Sequence, residues 1–232
     1  MRIVFTYLPI RLKEITEIYL KYSIQSLNKQ GEVPIIYSDV DYFKNLDLIY
    51  DWIELPISDR YLKSSIWSYP KLKVLSKIDF PFIHLDNDLV VEDITKLLDI
   101  IKKDKLNLCY KHTLSSSQIE DFTELHKIYS NTPLDYTELN NTSIIASVYY
   151  RNINKAYSEV LEIIESNYDF FNKRYNGIPP VTLNQQYLNL YFKDINYLYN
   201  HNPSFDELSI NGVCHMADKN KVSHFIRNNN II

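Results

Sequence analysis

Phe80-Pro81-Phe82-Ile83-His84-Leu85-Asp86-Asn87-Asp88-Leu89-Val90-Val91 is the stretch from which this chain is best read. Its apolar beginning reads as a buried strand. The strand stops at two carboxylates one residue apart, and apolar sequence resumes at once. Ionised Asp is rarely buried without a partner. Two of them at the end of a core strand repel each other unless a cation sits between them, and a hard divalent ion with oxygen ligands meets that need. Such an ion commonly keeps part of its shell for substrate phosphates, and the carboxyl ends of strands are where open α/β sheets bind ligands. Asp-Asn-Asp is also good turn chemistry, because both residue types form local side-chain bonds. His84, inside the strand, reads as a satisfied core residue rather than a ligand.

The surrounding sequence alternates strand and helix signals. Arg2–Leu8, Val33–Tyr37, Trp52–Leu55, Leu106–Tyr110 and Ser143–Tyr150 read as strands, rich in β-branched and aromatic residues. Leu12–Leu27 has Leu12, Ile15, Tyr19 and Tyr22 at helical spacing, and Trp67–Lys77 reads as a helix leading into the Asp-x-Asp strand. Asp93 is a candidate N-cap for a helix carrying Ile94, Leu97, Leu98 and Ile101. Asn154–Ser166 and Leu183–Phe192 read as later helices, separated by a loop holding Gly177, Pro179 and Pro180. The polar run Thr113–Asn140 breaks the rhythm and reads as an insertion over one edge of the sheet; the tail from Asn202 reads as loop. The pattern predicts an α/β chain, one domain over residues 1–232, with a mixed, mostly parallel central sheet flanked by helices.

Bulk composition narrows the function. A chain of 232 residues with 45% hydrophobic residues can bury a sizeable core. A net charge of −4 gives no footprint for nucleic acid. Cys109 and Cys214 are too few for a disulfide scaffold and match no zinc spacing, so a reducing, cytoplasmic setting is the expectation. The amino-terminal apolar run is too short for a signal peptide, and no apolar stretch is long enough to span a membrane, which leaves peripheral membrane association open. With only 3 glycines, phosphate-cradling glycine loops are excluded, so any phosphate must be held by metal, Lys or Arg, or helix amino termini.

A second stretch, Asn211-Gly212-Val213-Cys214-His215-Met216-Ala217-Asp218-Lys219-Asn220-Lys221, carries a His and, six residues later, a Lys. A neutral imidazole partners two carboxylates well around Mn²⁺ or a related ion, and Lys neutralises phosphate as a point charge. Cys214 beside it reads as a packed residue.

Together these two stretches resemble the nucleotide-sugar glycosyltransferases of the GT-A fold, of the glycogenin and bacterial lipopolysaccharide galactosyltransferase type. The likeness is closer still to a bacterial group of Asp-x-Asp transferases in which a Trp and a Lys precede a Pro-Phe-Ile-His-hydrophobic-Asp-x-Asp strand. Here those are Trp67, Lys71 and Pro81 through Asp88. The resemblance implies a single GT-A-like, Rossmann-like domain with Mn²⁺ or Mg²⁺ held by Asp86, Asp88 and His215. It implies a nucleotide-diphosphate sugar as donor, a UDP-sugar for preference, with Lys221 on the diphosphate. By the same likeness Tyr7 and Asp39, at the ends of the first two strands, contact the nucleoside, Asn141 the donor sugar, and Lys71 a phosphate or an acidic partner within the fold. Its catalytic positions fall on Gln185 and Gln186. Gln185 stands where the family carries an acidic residue, and Asp218 where it carries Gly. A Gln cannot act as general base, so the stereochemical course stays open.

The implied activity is metal-dependent transfer of a sugar to a glycan, lipid-linked or protein acceptor, in bacterial surface glycan synthesis. Two other classes compete. One is a GT-A-like domain that has lost catalysis and serves in binding. The other is a metal-dependent phosphohydrolase or nucleotidyltransferase, since paired Asp and a divalent ion serve those reactions too.

Overall fold

The structure is a computed structural model that describes residues 1–8, 13–62, 66, 68–113, 138–173, 187–201 and 211–215. Trp67, Gln185, Gln186, Lys221, the greater part of the Thr113–Asn140 run and the Gly177–Pro180 loop lie outside these residues. A seven-stranded sheet has the order β3 (Asp51–Glu54), β2 (Ile35–Ser38), β1 (Arg2–Thr6), β4 (Phe82–Leu85), β7 (Glu138–Ser147), β6 (Leu106–Thr113), β8 (Ile195–Tyr197). β7 pairs antiparallel with both β4 and β6, and every other pairing in this sheet is parallel. The sheet is therefore mixed and mostly parallel, with β7 alone running against the rest.

Helices cover both faces, which is why the central strands carry unbroken apolar runs rather than alternation. Ile3, Val4 and Phe5 of β1 are all buried, as are all four residues of β4. Against one face pack α3 (Tyr69–Leu75) and α5 (Tyr150–Ser166), with α6 (Tyr168–Lys173) following directly. α5 buries Ile153, Ala156, Tyr157, Val160, Leu161 and Ile164, the three-and-four spacing of a core-facing helical stripe. Each aliphatic of that stripe contributes roughly 1.5–3 kcal/mol. α1 (Lys13–Lys29) and α4 (Ile94–Ile100) cover the other face. Asp93 caps α4 as expected, its carboxylate accepting from the Thr95 and Lys96 amides. One further short helix, α2 (Asp59–Leu62), precedes α3.

The structure departs from sequence expectation at several boundaries. α1 buries Leu20, Ser23, Ile24 and Leu27 together with Tyr19, whereas Tyr22 stays half-buried. β7 runs longer at its start, from Glu138, and ends at Ser147, and α5 begins at Tyr150, four residues before the expected start. β8 carries no strong strand pattern in sequence; it forms because β6 offers an open parallel edge at Leu106–Leu108. The tail contributes a strand as well. β9 (Val213–His215) pairs antiparallel with β5 (Leu89–Val91) in a separate two-stranded sheet. Thr113, the first residue of the polar run, pairs with Glu138 across β6 and β7, so the last three residues of the run, through Asn140, belong to β7.

Candidate functional site

The strand order reverses direction at β1. From β1 the chain proceeds to β2 and β3 on one side, then returns to β4 on the other. β1 and β4 thus flank a switch point, and their carboxyl ends form the edge where open α/β sheets take ligands. The Asp86-Asn87-Asp88 turn sits there. The Leu89 amide bonds the Asp86 carbonyl at 3.0 Å, closing the turn, so the turn chemistry read from sequence is present. Two further bonds fix the turn to its neighbours. The Asp86 amide donates to the Ser143 carbonyl of β7 at 2.9 Å, and the Asn87 side-chain amide donates to the Thr6 carbonyl of β1 at 2.8 Å.

β7 is irregular at this level. Its register against β6 shifts between Leu108 and Tyr110, opposite Asn141 through Ile145. Such irregularities re-aim groups beside functional sites. Thr142, beside the shift, takes Lys71 on its carbonyl, while the Ser143 carbonyl continues the β4–β7 ladder by taking the Asp86 amide. The Asn141 side chain accepts from the Ser143 amide at 3.0 Å and stabilises the distortion.

Lys71 reaches this turn from α3. Its Nζ lies 2.6 Å from Asp86 Oδ1 and 2.5 Å from the Thr142 carbonyl. Of the two roles the resemblance gave it, the acidic partner within the fold is the one seen. The charge that Asp86 was expected to need is therefore supplied in part by the protein. Below the turn, His84 is buried, with Nε2 3.0 Å from Thr6 Oγ1. Burial, and then the nearby Lys71 charge, hold its imidazole well below the usual histidine range, so it stays neutral. Cys109, buried on β6, has its thiol pushed up to about 12 by burial and then by the charges of Asp86 and Asp88. It is a packed thiol, not a nucleophile. Burial, then Asp86, likewise raises the Tyr157 hydroxyl on α5.

Tyr7 and Asp39, which the resemblance assigns to a nucleoside, directly follow the parallel strands β1 and β2 on the same edge. Asp39, immediately after β2, accepts from the Tyr42 hydroxyl at 2.9 Å, and burial followed by this bond pushes Tyr42 up to about 12. Tyr7, immediately after β1, is fully buried; its ring meets Tyr42 edge-on at 5.2 Å and Phe43 at 5.5 Å. Tyr7 is thus a core side chain that backs Tyr42 and Asp39.

The late block reaches the turn through backbone pairing. Gly212 holds φ at +75°, and its carbonyl accepts from the Glu92 and Asp93 amides at 2.8 and 3.0 Å. β9 then runs beside β5, with His215 opposite Leu89, the residue following Asp88. For His215 the backbone alone is described. Among the described residues, no three His, Cys, Asp or Glu side chains form a metal cage. Asp86 and Asp88 place two carboxylates on one tight turn, and oxygen donors of this kind suit a hard divalent ion.

Sequence reasoning missed the anchors of this site. Asn87 carried a turn signal but no sign that it bridges to β1. Thr142 and Ser143 act through carbonyls, which side-chain types do not reveal; the polar Asn140-Asn141-Thr142-Ser143 run inside a strand was the only cue.

Fold and site together define an open α/β-sheet protein with a paired-carboxylate turn at the switch point of its sheet. No protein-family model and no curated protein matches the sequence. Solved structures do. An active-site mutant of LgtC is 15% identical, with 94% of this chain and 88% of that chain covered and a TM-score of 0.49. The glycosyltransferase GlyE of Streptococcus pneumoniae TIGR4 is 15% identical, covering 84% of this chain and 44% of that one, TM-score 0.44. Mouse xyloside xylosyltransferase 1 is 11% identical, covering 78% and 80%, TM-score 0.41.

Proposed function

We propose that this chain is a metal-dependent glycosyltransferase that moves a sugar from a nucleotide-diphosphate sugar to a glycan, lipid-linked or protein acceptor, in the cytoplasm and in bacterial surface glycan synthesis. The observation that carries the reading is the Asp86-Asn87-Asp88 turn, tied to β1 and β7 at the sheet's switch point with the late His strand one ladder position away. The chain is read as one GT-A-like domain over residues 1–232.

In this reading Asp86, Asp88 and His215 hold Mn²⁺ or Mg²⁺. The ion supplies Lewis acidity that stabilises the departing nucleoside diphosphate. Lys221 neutralises diphosphate charge. Asp39 takes the nucleoside of a UDP-sugar, and Tyr7 supports it from the core through Tyr42. Asn141 meets the donor sugar. Gln185 and Gln186 orient the reacting groups, because an amide neither accepts nor delivers the proton of a general base.

One observation favours a second reading, a GT-A-like binding domain without turnover: Lys71 already pairs with Asp86, so the turn is charge-compensated without a metal. Nucleotide-sugar hydrolysis, measured with and without Mn²⁺ and followed by an acceptor screen, separates these. Mn²⁺-dependent donor hydrolysis is the expected result. Nucleotide binding with no turnover supports the binding domain, and cleavage of generic phosphate esters supports a phosphohydrolase.

A further inference from the structure

We propose that Lys71 is the resident counter-ion of Asp86 and competes with a divalent cation for that carboxylate, so that Lys71 sets how weakly the site holds metal. The inference rests on the reading of Asp86 and Asp88 as cation ligands. Lys71 enters from the core side. Its neighbours on α3, Leu72, Val74 and Leu75, are buried, and its own side chain is 14% exposed against 34% for Asp86. Its ammonium has two acceptors on two different strands, the Asp86 carboxylate and the Thr142 carbonyl. With the ammonium 2.6 Å from Asp86 Oδ1, a cation approaching this carboxylate meets a like charge and shares an acceptor already in use. The Thr142 carbonyl keeps one hydrogen bond to the ammonium when Asp86 turns to an ion, so the ammonium is not left without an acceptor. Fixing Lys71 to a carbonyl of the β7 irregularity also holds the turn and β7 together while no ion is bound.

The consequence runs against the usual effect of removing a contact. Deleting the Lys71 charge leaves two carboxylates with less compensation, and a divalent ion should bind tighter. Free Mn²⁺, followed by its electron paramagnetic resonance signal, is titrated with the full chain, with Lys71→Met and with Lys71→Arg. Lys71→Met should bind Mn²⁺ about ten- to a hundredfold more tightly than wild type, and Lys71→Arg close to wild type. A purely structural lysine would give weaker binding, not tighter. Equal or weaker binding by Lys71→Met overturns the inference. With wild type still binding, that result leaves the metal reading standing; with no Mn²⁺ bound by either protein, both fall. Should Lys71→Met not fold, the wild-type chain provides the answer. The Lys71 ammonium, observed by ¹⁵N NMR, should shift and exchange faster with water as Mg²⁺ is added. An ammonium signal unmoved at saturating Mg²⁺ overturns the inference.

Discussion

The two blocks that build the candidate site are held in unlike ways. The Asp86-Asn87-Asp88 turn follows a strand paired on both sides, and it is bonded to β7 through Ser143, to β1 through Asn87 and to α3 through Lys71. Among the described residues, the His215 block is held by a three-residue ladder with β5, by Gly212 and by the buried Val213. The early block is over-determined by the main sheet. The late block is a short arm laid against it, and a short two-stranded ladder is weak by itself. Changes in the early block should therefore strike chemistry and leave the fold, whereas changes at the base of the late arm should move the arm.

The largest effect should come from Asp88→Ala. Loss of a ligand removes leaving-group stabilisation of several kcal/mol, so Mn²⁺-dependent donor hydrolysis should fall to background. The melting temperature should hold, since the bonds made by the Asp86 amide, the Leu89 amide and the Asn87 side chain still fix the turn. A collapsed melting temperature would make Asp88 structural and erase the contrast. Lys221→Ala should come next: it should weaken nucleoside-diphosphate binding roughly ten- to a hundredfold and leave the free nucleoside nearly unchanged, read by calorimetry with Mn²⁺ present. Equal diphosphate affinity would return Lys221 to solvent.

Gly212→Ala sharpens the comparison from the other side. A Cβ there would lie 2.2 Å from the Asp93 carbonyl oxygen, and the φ of +75° adds strain. Together these should destabilise the chain by at least about 1–2 kcal/mol, lowering the melting temperature by about 2–8 °C. Mn²⁺ affinity should fall with it, because β9 cannot keep its register. An unchanged Mn²⁺ affinity would detach the late arm from the site.

What the sequence made legible follows the same division. The strand running into Asp86, the helices on either side and the Asp93 cap were readable because local pattern and burial agree there. β8 and β9 were not. Each has three residues and forms by docking on an edge that another part of the chain supplies, so no local signal marks them. The two carboxylates were legible as a pair in need of a cation. That Lys71 meets part of the need came only as one of two roles the resemblance offered, because it depends on a side chain from α3 crossing to the end of β4. The backbone carbonyls of Thr142 and Ser143 were illegible for a plainer reason: every residue has one.

The smallest effect concerns pH. His84 is neutral in the folded chain and protonates more readily once unfolded, near 6.5. Below that value the unfolded state binds the extra proton, so this residue's contribution to stability is intact above it and is lost as pH falls, by at most about 1.4 kcal/mol per pH unit. His84→Gln should flatten the dependence of the melting temperature on pH between 7 and 5. An unchanged slope would mean that His84 already carries its proton in the fold.

The most direct measurement is a crystal structure with Mn²⁺ and a nucleoside diphosphate bound. One ion should lie at about 2.0–2.2 Å from oxygens of Asp86 and Asp88 and from an imidazole nitrogen of His215, with diphosphate oxygens completing its shell. An ion bound elsewhere, or a His215 side chain directed to the opposite face of the β5–β9 ladder, would contradict the site.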